Sequence, residues 1–249
     1  MMATIANQVA NQWQVLRLRL SSGIVGRCGQ IRFSQEGEDG ILARLFEHQA
    51  TGFYVDVGAH HARRFSNTAM LYFAGWRGIN IEPDPVLANE LKRARPGDTT
   101  VHSAVGDAEG EATYYRFNEP ALNTLDRERV ARLLRLRSYK LVGEIAVTVR
   151  RLDHLLDAHL RPDQIIDVMN VDVEGYDMAA LRSLDWARYK PRVVLAESAM
   201  LTIAQALSGD MNRFLTSKNY TLIAKTINSL VFIRNEQMKS FGYSVVSEC

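Results

Sequence analysis

The stretch from Phe53 to Pro83, FYVDVGAHHARRFSNTAMLYFAGWRGINIEP, constrains the rest of the chain. Phe53-Tyr54-Val55-Asp56-Val57 is a short apolar and β-branched run, the pattern of a buried parallel strand. Gly58 ends the run and opens a turn. After a helical stretch, a second strand, Gly78-Ile79-Asn80-Ile81, closes on Glu82. The unit is strand, turn, helix, strand, with a carboxylate near the tip of each strand. A glycine after the first strand lets a ligand approach the backbone, and an acid closing the second grips both hydroxyls of a ribose. Such a unit asks for an adenosine-containing cofactor.

The turn narrows the choice of cofactor. A dinucleotide fingerprint requires G-x-G-x-x-G, and Gly58-Ala59-His60-His61-Ala62 supplies only the first glycine. That counts against a nicotinamide or flavin. The spare form, apolar-Asp-apolar-Gly, is the minimal signature of a methyl-donor site, because S-adenosylmethionine has no pyrophosphate to be cradled at a helix N-terminus. Asp56 is placed to serve the donor's ammonium, directly or through water. Glu82 lies 26 residues beyond Asp56, near the spacing of about 20 expected of a ribose-binding acid. Ser66-Asn67-Thr68 reads either as the cap of the next helix or as hydroxyl and amide groups of the site. His60 and His61 have no third ligand near them in sequence, so no metal site is predicted from them.

Composition excludes several partners. A net charge of +2 gives no support to nucleic acid or an anionic membrane as a main partner. No apolar run approaches the roughly 20 residues of a membrane span. The start, MMATIANQVANQW, lacks the basic and continuous apolar regions of a secretory signal. Cys28 and Cys249 form no metal spacing, and two thiols suit a reducing cytosol, so a cytoplasmic location is expected.

Residues 1–32 read as a front segment, with Ile5, Val9, Trp13, Leu16 and Leu20 at helical spacing. The helix either packs on the main domain, covers the substrate, or joins two copies in a homo-oligomer. Residues 33–249 read as one domain of a size that buries a full core. Ser34 is a candidate cap, and Gln35, Glu38 and Asp39 either serve that helix start or edge the site. Val101 to Val105 reads as the third parallel strand, ending where such folds place the adenine, and Ala112–Tyr115 as a strand on the sheet margin. Arg127, Arg129, Arg132, Arg135, Arg137 and Lys140 make a basic helix. It is either a solvated face or, with residues 118–144 as a cap, a selector of an acidic or phosphorylated acceptor.

Gln164 to Asp172 reads as the fourth core strand, and Asp172-Val173-Glu174-Gly175 follows at its carboxyl end, the edge where open α/β sheets bind ligands. Two acids one residue apart beside a glycine are poorly explained by packing, so Asp172 and Glu174 are candidate site residues. Arg192 to Glu197 is the fifth strand, again closing on an acid. Tyr220–Ala224 and Ser229–Ile233 read as a terminal antiparallel pair.

FVDVGAHH-type residues with Ser66-Asn67-Thr68, then GWRGINIEP, then Ala104-Val105-Gly106-Asp107, then VDVEGYD, together resemble the FkbM family of S-adenosylmethionine-dependent methyltransferases. The likeness runs from about Phe33 to Phe232 and takes in FSQEGEDGIL. It implies an α/β, Rossmann-like class I methyltransferase fold: a seven-stranded, mostly parallel sheet with a terminal antiparallel strand. It also implies donor binding by Asp56, Gly58, Glu82 and the Ser103-Ala104 strand end, with Ala59, Asn67, Pro83 and Asp172 beside them. The acceptor implied is a hydroxyl of a sugar, a glycan or a secondary metabolite. Two positions depart from the family pattern: Ala62, where glycine or proline is common, and Asn123, where serine is common.

A neutral hydroxyl is a poor nucleophile, so a general base is expected, worth about 10²–10⁴-fold. Asp172 is the first candidate, with Glu174 and His60 behind it. A cation held by Asp172 and Glu174 is an alternative way to orient the acceptor. Two other functions share parts of the pattern, a nicotinamide-dependent sugar oxidoreductase and a donor-binding module without catalysis.

Overall fold

The computed structural model describes residues 31–244. The predicted front helix lies outside them. β1 (Phe53–Val57), β2 (Arg77–Glu82), β3 (Thr99–His102), β7 (Val168–Val171) and β8 (Val193–Glu197) pair in parallel. β9 (Tyr220–Lys225) and β10 (Ser229–Arg234) complete a seven-stranded sheet ordered β3-β2-β1-β7-β8-β10-β9. Only β10 runs against its neighbours. The chain goes out to the edge as β9 and folds back into the gap beside β8, with Thr226 N donating to Ser229 O across the turn. This is the Rossmann-like class I methyltransferase arrangement.

Strand alternation explains how the sheet is buried on both faces. Val55 and Val57 point to one side, where they join Leu152, Leu155 and Leu156 of α5 (Leu152–His159) and Leu181 of α6 (Asp177–Arg182). Tyr54 points to the other, against Leu42 of α1 (Glu38–Leu45), Leu71 of α2 (Ala69–Phe73) and Trp76. Fully burying each such side chain is worth about 1.5–3 kcal/mol. The period-2 rule therefore puts Asp56 on the Tyr54 face, inside the protein. Asn80 and Asn170 stand in register with it on β2 and β7, forming a polar row through an apolar layer.

Three expectations are corrected. The strand expected over Val101–Val105 breaks at Ser103, whose hydroxyl donates to Ala104 O and Thr148 O. β4 (Ala104–Val105) leaves the main sheet and pairs with β6 (Leu141–Arg150). Likewise Ala112–Tyr115 lies within β5 (Gly110–Phe117), which is not on the main sheet's margin. It forms a separate three-stranded sheet, β4-β6-β5, with its own core of Ala104, Tyr114, Val147 and Val149. The basic helix also proves short: α4 spans Arg127–Leu133. α3 (Pro85–Ala94), α7 (Ile203–Ser208) and α8 (Asp210–Ser217) complete the helices among the described residues.

Candidate active site

The ends of β1, β2, β7 and β8 open into one cavity. It is lined by Asp56, Gly58, Ala59, His60, Asn67, Glu82, Pro83, Ser103, Ala104, Asp172, Glu174 and Glu197, among others. All the residues predicted for the donor or for catalysis thus meet in one place. Gly58 is required by close packing: its φ is +79°, and a Cβ there would lie 1.9 Å from Asp172 O. Gly58 N and Ala59 N both donate to Ile81 O, at 2.9 and 3.1 Å, which locks the turn against β2.

Glu82 is buried, and its two oxygens accept from the amides of His60 and Asp84, each at 2.8 Å. Burial pushes its carboxyl up to about 7, against the pull of those two amides. Each oxygen keeps a lone pair for a ligand hydroxyl. Asp84 in turn caps α3 through Val86 N and pairs with Arg116 from β5 at 2.8 Å. His60 adopts φ +50°, and both its ring nitrogens are buried without a hydrogen-bond partner. Desolvation, with His61 and Arg64 nearby, lowers it to about 4, so it is neutral near pH 7. A buried polar ring without partners at a cavity wall fits a bound ligand. His61 is different: its Nδ1 accepts from Arg63 N and Arg64 N, and it only shapes the loop.

Asp56 accepts from Thr68 Oγ1 and from Asn170 Nδ2, and Asn67 Nδ2 donates to Asn170 Oδ1 at 2.9 Å. Behind this row lies Arg95, fully buried, which donates to Ala62 O, Ser66 Oγ and Thr68 Oγ1. At the loop where Ala62 departs from the family pattern, a guanidinium from α3 holds the turn instead. Ser66 Oγ accepts from Ala69 N and so serves the start of α2, and both Ser66 and Asn67 line the cavity.

The opposite end is crowded with acids. Asp172, Asp177 and Glu197 place carboxylate oxygens within 4.8 Å of one another. Burial and the charges of Glu197, Asp177 and Asp56 push Asp172 well above the usual carboxylate range, and Arg129 opposes them. Burial and Glu197 push Asp177 up to about 7. Like charges this close do not all ionise, so the group shares protons. Such a trio is also the size of a cation site, but Asp177 already accepts from Val173 N and Gly175 N. The alternative pairing of Asp172 with Glu174 around a cation is not what the geometry offers: Glu174 is bound to Arg129 of α4. The same guanidinium lies 3.8 Å from Glu197.

Residues 118–134 form a roof. Pro120, Ala121, Asn123 and Leu125 face the cavity, and about 100 Å³ remains beneath. Glu119 holds Arg64 through two bonds of 2.8 Å on one side, and Thr124 Oγ1 donates to Glu174 O at 2.7 Å on the other. Asn123 Oδ1 accepts from Phe117 N, so its polar group supports the roof. From the front of the domain, Gln35 and Glu38 line the mouth with Asn228 and Ser229. Asp39 does not: it is buried against Phe33 N and Ser34 Oγ and holds the helix start.

Sequence reasoning passed over Asn170 and Asp177 and did not single out Arg129. Asn170 carried a signal: Asp56, Asn80 and Asn170 each precede the residue that closes their strand by two, a repeated polar break in apolar runs. Arg129 carried none, being one of six basic residues on one segment.

The sequence profile of the methyltransferase FkbM domain matches residues 56–222. No curated protein matches the chain. Among solved structures, a methyltransferase from Geobacter sulfurreducens is similar at 13% identity and a TM-score of 0.42, over 92% of this chain and 88% of its own. Precorrin-6y C5,15-methyltransferase from Geobacter metallireducens is similar at 12% identity and 0.41, over 78% and 86%. A TehB-like SAM-dependent methyltransferase from Corynebacterium glutamicum is similar at 12% and 0.39, over 93% and 99%. Among the described residues, no helix is long and apolar enough to cross a membrane.

Proposed function

The chain belongs to the FkbM methyltransferase family and uses S-adenosylmethionine as methyl donor, and on that premise we propose that it methylates a hydroxyl oxygen of a neutral sugar or glycosylated metabolite. Glu82 takes the ribose hydroxyls, the Gly58–Ala59 turn and the Ser103-Ala104 break flank the nucleoside, and His60 and Asn67 offer polar groups to the rest. Site volumes for ligands of this size run from about 300 to 1,000 Å³. The space under the roof is smaller, so the donor enters with outward movement of Pro120–Leu125.

The observation that carries the reading is the Asp172–Glu197 pair. Asp172 is buried at the tip of β7, and its raised proton affinity suits removal of a proton from a hydroxyl. The bound donor supplies an electrophilic methyl group whose sulfur leaves as a neutral thioether. Asp172 passes its resting proton to Glu197 and then, as carboxylate, takes the acceptor's proton while the oxygen forms its new bond to carbon. Glu197 accepts the shared proton's hydrogen bond and keeps Asp172 aimed. Glu38, Asn228 and Gln35 at the mouth supply acceptors and donors for further hydroxyls.

The same lining argues against an acidic or phosphorylated acceptor. The arginine that α4 turns inward is already bound by Glu174 and Glu197, and the surrounding charge is negative. The nicotinamide alternative is set aside by the family match. The test is release of S-adenosylhomocysteine in the presence of neutral sugars, amino sugars and sugar phosphates, with the product's methyl located by NMR. We expect an O-methyl product from a neutral sugar and none from the phosphates. A product methylated on nitrogen or carbon, or only on an anionic acceptor, overturns the proposal.

A further inference from the structure

A second concave site lies at the other edge of the sheet. Phe53 and Arg77 begin β1 and β2, and Asp167 and Arg192 precede β7 and β8; all four line a groove of about 910 Å³. It is therefore separated from the donor cavity by the length of the strands. Six cations line it: Arg77, Arg161, Arg188, Lys190, Arg192 and Arg234. Only two carboxylates do, Asp163 and Asp167, in a chain whose net charge is +2.

The pairing within the groove sets a floor apart from a rim. Arg192 donates to Asp167 at 2.8 Å and also to Gln49 and Gln237, so this pair is a neutral floor. Arg188 is matched by Asp157. Among the described residues Arg161 has only the neutral Gln164 at 2.6 Å, and Arg77 donates to the carbonyl of Trp76. Arg234 donates to Lys190 O and meets Glu236, itself 72% exposed, at 3.5 Å. Lys190 has no carboxylate partner among the described residues. These four cations come from two separate loops, a strand start and a strand end, so a run of like charge on one helix does not explain them. Tyr189, with the Arg188 guanidinium over its ring, and Ile165, 64% exposed, add an aromatic and an aliphatic side chain to the lining.

We propose that this groove binds a nucleotide-sized organic phosphate, its phosphates on Arg77, Arg161, Lys190 and Arg234 and its ring on Tyr189 and Ile165. Guanidinium groups meet phosphate oxygens two at a time, and the volume exceeds what a single small anion needs. The site does not depend on the identity of the methyl acceptor.

The test is calorimetry on the full chain with uridine 5′-triphosphate, inorganic tripolyphosphate and uridine. Both phosphates are expected to bind at one site with Kd of about 1 mM or tighter, and uridine not at all. Affinity should fall as NaCl is raised from about 50 to 200 mM, because Arg77, Arg161 and Lys190 are exposed. R161E/K190E should weaken both phosphates at least about tenfold, a loss of roughly 1.4 kcal/mol. The same variant should bind S-adenosylhomocysteine as the parent does, which shows that the fold and the donor cavity are intact. Absence of heat from either phosphate, or equal affinity in R161E/K190E, overturns the site. Uridine triphosphate binding no tighter than tripolyphosphate overturns the role given to Tyr189 and Ile165.

Discussion

Glu82 and Asp172 close neighbouring parts of the same sheet, yet they are held in opposite ways. Glu82 meets two backbone amides, and no side-chain carboxylate hydrogen-bonds to it. Asp172 meets Glu197 and lies near Asp177, with Arg129 supplying the cation. Backbone donors cannot move or change charge, which suits the first arrangement to its proposed part as a fixed receptor for hydroxyls. Side-chain acids that share protons can pass them on, which suits the second to its proposed part in moving one. Under the proposed function, the two arrangements divide binding from catalysis within one cavity.

The sharpest way to break it is Asp172→Asn. We expect turnover to fall by about 10²–10⁴-fold while S-adenosylhomocysteine affinity stays within about twofold. Full activity would remove Asp172 from the chemistry, and lost donor binding would merge the two ends into one function. Glu82→Ala should do the reverse. Losing charged hydrogen bonds of about 1.5–3 kcal/mol predicts donor binding weaker by roughly 10–100-fold, read by calorimetry.

Arg129→Met sharpens the catalytic side. The arginine favours the ionised forms of both Asp172 and Glu197. Its loss should leave the base protonated to higher pH, moving the acidic limb of the kcat/KM profile upward. At pH 7 we expect a drop of about tenfold, equivalent to roughly 1.4 kcal/mol, with partial rescue by Arg129→Lys. An unmoved limb would make Arg129 merely a tie for the roof.

The smallest effect is on stability. Glu82 rises from 4.5 to about 7 and Asp177 from 3.8 to about 7. In each case the folded state keeps its proton where the unfolded state has lost it. Native protein thus binds more protons between about pH 4 and 7, and stability falls as pH rises through that window. The melting temperature of the free protein should decline from pH 5 to pH 8, and Glu82→Gln should reduce the slope. Donor binding, by supplying hydroxyls to the carboxylate, should release protons near pH 6, measurable in buffers of different ionisation enthalpy.

The donor half was legible because it is local. Phe53–Val57, Gly58 and Glu82 are strand ends, and alternation, a turn glycine and a closing acid announce them in order. The expectation that placed Ala112–Tyr115 on the main sheet failed for a matching reason. A strand's pattern states that one face is buried and leaves open against which sheet. The break at Ser103 was equally silent, since Val101 and Ala104-Val105 are apolar on both sides of it.

By itself the sequence determined most element types, the parallel character of the early strands, the donor and the acids at the strand tips. Those follow from periodicity and from residues a few positions apart. The tertiary structure decided which acids share protons, that Glu174 belongs to Arg129, that Arg95 shores up the turn at Ala62, and that four scattered cations face one groove. Each joins residues from separate elements whose distance depends on how the helices and the two sheets pack. Spacing along the chain carries no information about that.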